Sequence, residues 1–152
     1  MSRRINMKKK ERLCELETNY NLFETRTSHI SFNYQFLSSG SDYGQSFEEW
    51  DRERIILDLN EKLKSFSGKS KTELMSDGVL CIYGEYPSNS GFKYPASLPK
   101  EKGKIHWARL TITGKRRVIG FFSPGAERES DVFYVVFLDK DHKFYPSEKK
   151  HT

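Results

Sequence analysis

A chain of 152 residues, with 36% hydrophobic and 31% charged residues of mixed sign and a formal charge of +5, fits one ordinary domain and argues against global disorder. Eleven Phe, eight Tyr and two Trp supply the large apolar surfaces that a core needs. The longest uninterrupted apolar run is the seven residues Val132 to Leu138, far below a membrane span, and no apolar segment follows the basic start as in a secretory signal.

Charge is unevenly placed along the chain. Residues 1–12 carry a net +5, residues 13–78 a net −5 and residues 79–152 a net +5. A basic start and a basic C-terminal half on either side of an acidic middle point to an anionic partner, nucleic acid being the commonest. Residues 1–28 are expected to be a basic extension, partly disordered or with a short helix over Glu11 to Asn21, ahead of one domain over 29–152. From His29 to Leu37 the pattern alternates, with Ile30, Phe32, Tyr34 and Phe36 on one face, as in a half-buried strand. Ser38 to Gln45 is rich in Gly and Ser and reads as a loop.

Ser46 and Glu49 then have capping-box spacing, and a helix follows through Trp50, Ile56, Leu59, Leu63 and Phe66, with Gly68 placed to end it. Ser70 and Glu73 repeat the spacing for a second, short helix that stops near Asp77-Gly78. Val79 to Tyr86 is a candidate strand, and Pro87 to Lys104 a Pro/Gly/Ser/Lys-rich loop, functional or mobile. Ile105 to Thr113 and Arg116 to Ser123 flank Gly114-Lys115, a two-residue loop that favours a type II′ hairpin. Val132 to Leu138 suits a strand covered on both faces. The order predicts an α+β fold: a mainly antiparallel sheet of four to five strands with two helices packed on one face.

Gly-rich phosphate loops, zincin motifs and zinc-spaced Cys or His pairs are absent. Cys14 and Cys81 are far apart and suggest neither a metal site nor a disulfide framework, so a reducing, cytoplasmic setting is expected. Glu48, Glu49, Asp51 and Glu53 resemble a metal cluster but fit a solvated first helical turn better. With Gly114-Lys115 as the loop, a regular ladder pairs Thr113 with Arg116 and Ile112 with Arg117. Arg109 and Arg116 then share one sheet face, Lys115 marks the turn, and Arg117 emerges on the other face. Guanidiniums on strands hold phosphate well, because the planar fork engages two oxygens and stays charged; basic decoration of a solvent edge is the plainer reading. After the last strand comes LDKDHKFYP, Leu138 to Pro146. His142 is a candidate for moving a proton in either direction, Lys143 and Tyr145 are close by, and Asp139 or Asp141 would orient its imidazole; otherwise it is a solvated turn histidine.

RLTITGKRRVIGFF (Arg109 to Phe122) followed by VFYVVFLDKDHKFY (Val132 to Tyr145) resembles the C-terminal half of the RelE/HigB-like toxins. Those are small basic ribonucleases in which a strand–turn–strand carries an Arg before a V-I pair. A final apolar strand then leads to a His, a basic residue and a Tyr. Arg116 stands where that family usually has an aromatic, and the 28 residues before His29 have no counterpart. The resemblance implies a RelE-like fold and a metal-independent RNA endonuclease without cofactors. His142, Arg117, Tyr145 and Lys143 would be catalytic, and Arg109, Lys115 and Arg116 would bind substrate. It also implies RNA, on or off the ribosome, and an acidic antitoxin as partners. Trp107, Phe122 or Phe144 would stack on a base or pack in the core. The alternative is a non-catalytic module, phage- or defence-related, holding nucleic acid or an acidic protein on the same basic sheet. A third reading is a metal-dependent nuclease built on Asp139, Asp141 and His142.

Overall fold

The computed structural model describes residues 29–99, 105–122 and 131–146. The basic segment 1–12 and the helix expected over Glu11 to Asn21 lie outside these residues. Five strands and three helices follow in the order β1 (Ser31–Asn33), α1 (Phe47–Arg52), α2 (Ile56–Phe66), α3 (Lys71–Ser76), β2 (Leu80–Gly84), β3 (Trp107–Thr113), β4 (Arg116–Phe122) and β5 (Val132–Asp139). The strands form one sheet in the order β1-β5-β4-β3-β2. β2 to β5 are antiparallel neighbours, whereas β1 runs parallel to β5. The fold is α+β as expected, but the sheet is mixed and the described helices number three instead of two. The parallel pair arises because the chain leaves β1, crosses through the helices to the far edge and meanders back strand by strand. β5 thus arrives beside β1 pointing the same way.

The strand expected over His29 to Leu37 is cut short. Asn33 accepts the Gln35 N–H on its side-chain oxygen at 2.8 Å, and the Leu37 N–H turns back to Tyr34 O at 3.0 Å. This local turn competes with the ladder and ends β1 after three residues. Ile30 and Phe32 stay on the helix side, while Phe36 swings to the opposite face against Phe121 and Tyr134. The chain then follows the edge of β5, where Ser38 N–H donates to Val136 O and Gln45 N–H to Leu138 O. The buried Gln45 accepts both the Trp50 indole N–H and the Lys140 N–H on its side-chain oxygen.

Ser46 caps α1 through a bond from Glu49 N–H at 3.2 Å, as the spacing indicates. The expected single helix is interrupted at Arg54, whose φ is +60°. The break resets the helical phase. A continuous helix from Trp50 would turn Arg54 and Leu57 inward at i+4 and i+7; instead Ile55, Leu59, Leu63 and Phe66 are buried and Leu57 stays 63% exposed. Ser70 caps α3 in the same way as Ser46, and Gly78 at φ +73° follows its end.

Two cores result. Trp50, Leu59 and Leu74 from the helices meet Leu110, Val118 and Val135 on one face of the sheet. On the other face Trp107, Ile119, Phe121, Phe137 and Phe144 pack under Phe92 and Leu98. The segment 87–99 is therefore a covering layer, tied down by Tyr86 Oη–H to Phe92 O at 2.6 Å, Lys93 N–H to Asp42 O and Gly91 N–H to Lys143 O. No helix among the described residues is long and apolar enough to cross a membrane.

Candidate anion-binding site

The hairpin turns at Gly114-Lys115, with Gly114 at φ +54° and Thr113 opposite Arg116, as the loop residues dictate. One residue further in, the ladder slips. A bulge at Ile112 sets Thr111 opposite Arg117, Leu110 opposite Val118 and Arg109 opposite Ile119. A regular ladder had placed Arg117 across from Ile112 and away from Arg109. The extra residue reverses that face assignment, so Arg109, Thr111 and Arg117 lie together and Arg116 points the other way. Arg116 donates to Thr113 Oγ1 at 3.2 Å. The shared face is the aromatic one, beside Ile119 and Phe121.

Both guanidiniums are partly buried. Arg109 donates to Thr111 Oγ1 and, at 3.4 Å, to Val79 O. Arg117 folds back on the turn, its Nη1 donating to Gly114 O and Arg116 O, while its Nε is buried without a hydrogen-bond partner. Burial and the neighbouring Arg109 charge lower the Arg117 pKa, opposed by Tyr83 and Asp139. Neither arginine forms an ion pair among the described residues. Two partly desolvated like charges thus share one sheet face, with the buried Asp139 carboxylate opposite Arg117 as the nearby opposite charge.

Tyr83 closes one side. It occupies a second bulge, between Ile82 opposite Ala108 and Gly84 opposite Trp107, next to the Cys81–Arg109 pair. Burial raises its pKa, opposed by the charge and the hydrogen bond of Arg109. Its ring lies on that of Tyr145 at 4.7 Å between centroids and 12° between planes.

Tyr145 is held through Asp139. That carboxylate, opposite Arg117 in the β4–β5 ladder and 1% exposed, accepts Lys143 N–H at 2.9 Å and Phe144 N–H at 2.8 Å. The bonds close a tight turn in which His142 takes φ +60°, uncommon for a non-glycine residue. Asp139 is thus occupied with backbone amides and does not orient the imidazole. Among the described residues no group of three or more His, Cys, Asp or Glu side chains is placed to hold a metal ion, and Asp139, the first ligand of the metal-centred reading, has both oxygens engaged. Asp141 instead approaches Lys115 Nζ at 3.6 Å, joining this turn to the hairpin tip.

The turn carrying His142, Lys143 and Tyr145 thus stands at the same end of the sheet as Arg109, Arg117 and Lys115. Trp107, Phe122 and Phe144, the other aromatics considered for stacking, are at most 9% exposed and belong to the cores. Sequence reasoning missed Tyr83. Its signal is the Tyr83-Gly84 pair within a short strand, since glycine there often marks a bulge that re-aims its neighbour. A separate shallow depression, lined by Glu49, Arg52, Glu53 and Lys140, has mixed charge, and its Lys140 bonds Glu53 at 2.6 Å. No protein-family model, curated protein or solved structure matches the chain.

Proposed function

We propose that this protein binds RNA through a phosphodiester held at Arg109 and Arg117 and cleaves it without a metal, as the resemblance to RelE/HigB-like ribonucleases implies. The observation that carries the reading is the pair of partly buried guanidiniums on one sheet face, neither in an ion pair among the described residues. A phosphate balances the charge of the two guanidiniums, and rigid strands hold them in place. In the reaction the RNA 2′-oxygen bonds to phosphorus and the bond to the 5′-oxygen breaks. His142 takes the 2′ proton, the 5′-oxygen receives one from Tyr145, and the arginines with Lys143 stabilise the phosphorane. The products are a 2′,3′-cyclic phosphate and a 5′-hydroxyl. An acidic antitoxin would cover the same basic face.

The test is RNA cleavage with end-group analysis in the presence of EDTA. His142→Ala is expected to slow cleavage about 10²–10⁴-fold. Arg117→Ala is expected to lower kcat more than it weakens binding, because its anionic partner gains charge in the transition state. A second reading, a non-catalytic RNA-binding module, is favoured by one observation: Asp139 serves the amides of Lys143 and Phe144 and leaves His142 without an orienting carboxylate. RNA binding with no cyclic-phosphate product selects that reading. Absence of RNA binding overturns both.

A further inference from the structure

Resting on the phosphodiester reading above, we propose that the Tyr83 hydroxyl donates a hydrogen bond to the bound phosphate, with Arg109 behind it as the charge that strengthens the donor. The ring is set in one place. It sits in the bulge between Ile82 and Gly84, where Gly84 has φ +90°, and lies between Tyr145 at 4.7 Å and the buried Phe144 at 6.2 Å. A hydroxyl on a ring held this way loses little conformational freedom when a ligand binds it. Arg109 and Tyr83 share a hydrogen bond. A guanidinium carries donors only, so Arg109 donates in that bond and the phenolic oxygen accepts. The phenolic proton is left pointing away from Arg109.

That proton has no acceptor among the described residues. The neighbouring tyrosines differ: Tyr86 donates to Phe92 O at 2.6 Å and Tyr94 to Pro99 O at 2.7 Å. Asp139, the nearby carboxylate, is bonded to the amides of Lys143 and Phe144 instead. Arg109 also donates to Thr111 Oγ1 and Val79 O, so its N–H groups are turned in part toward the protein. Its charge then reaches a ligand in part through the phenol. Successive hydrogen bonds that end on an anion polarise one another, which makes this O–H a stronger donor than a free phenol. Tyr83 and Arg117 also lie near enough for each to act on the other's charge. Water would accept the O–H but leave two guanidinium charges unbalanced. A phosphate oxygen does both, which makes Tyr83 the third donor of the site, from a third strand.

Binding of inorganic tripolyphosphate and of a labelled octanucleotide RNA to the full chain tests this. Tyr83→Phe keeps the ring and removes only the hydroxyl, and is expected to weaken both probes about 10–100-fold. Tyr86→Phe, whose hydroxyl serves Phe92 O, should bind both like the parent. Because Arg109 acts in part through the phenol, Tyr83→Phe combined with Arg109→Ala should cost less than the product of the two single losses. Replacing Tyr83 by 3-fluorotyrosine, a stronger donor of nearly the same shape, should tighten both probes at mildly acidic pH, where the phenol keeps its proton. Circular dichroism of each variant verifies the fold. Parent-like affinity in Tyr83→Phe, or weaker binding with 3-fluorotyrosine, overturns the donor role. Loss of tripolyphosphate binding in Arg109→Ala and Arg117→Ala then keeps the anion site. Parent protein that binds neither probe overturns the site and the donor role with it.

Discussion

Gly120 lies at the irregular step of the β4–β5 ladder, and a Cβ there would clash with Tyr134 O. Backbone, not a flexible side-chain tip, is what it would meet, so Gly120→Ala is expected to cost about 1–3 kcal/mol or more. A thermal melt measures this as a fall of roughly 2–4 °C per kcal/mol for a domain of this size. Asp139 is the matching case for a polar group. Asp139→Ala would orphan the buried Phe144 N–H and the Lys143 N–H, with an expected loss of about 1–3 kcal/mol in denaturant unfolding. Among single residues, the capping serines and the turn glycine at 114 were legible in the sequence, because their signals are local. The tie between Asp139 and its amides was not, since nothing in DKDHKF distinguishes a carboxylate aimed at an imidazole from one aimed at the backbone.

At the level of elements, α1 has six residues and is kept by its cap and by Trp50, which is fully buried. Ser46→Ala is expected to cost about 0.5–2 kcal/mol, and Trp50→Ala roughly 3–5 kcal/mol, both by urea unfolding. Similar small losses in the two would contradict the placement of α1 on the sheet. The covering layer 87–99 has a pH signature. Burial pushes the Tyr86 hydroxyl up to about 12, above its ordinary value of 10.0. An acid whose folded pKa is raised lends stability that is full below the unfolded pKa and is lost as pH rises through the folded one. Wild-type stability should therefore fall between pH 10 and pH 12, and Tyr86→Phe should flatten that decline. The helix break at Arg54 was readable only in hindsight. Apolar residues at 50, 55, 59, 63 and 66 do not keep one helical phase, and a break between Trp50 and Ile55 restores it.

For the whole molecule, the sheet separates two cores and leaves the basic end of β3 and β4 beside the turn after β5. If RNA binds there through phosphate contacts, the affinity falls with salt, and replacing one contacting arginine reduces the slope of log K against log salt by about 0.7 for a single strand. Arg117→Gln should show that reduction, whereas Arg116→Gln, on the opposite face, should leave the slope unchanged. Equal reductions for both would place the RNA at the hairpin tip instead of the sheet face. Basic composition alone does not select between these two surfaces.

The α+β class, the two capped helix starts, the Gly114-Lys115 hairpin and the doubly covered β5 follow from the sequence by itself. Each rests on contacts within a few residues or on a hydrophobic period that survives in one dimension. Which face each arginine occupies was decided by the tertiary structure. A bulge costs one residue of register and inverts every side chain beyond it, and whether one forms depends on how neighbouring strands and the layers above them pack. The parallel entry of β1 and the meeting of Tyr83 with Tyr145 have the same origin. They join segments more than fifty residues apart, and only the closing of the sheet brings such segments together.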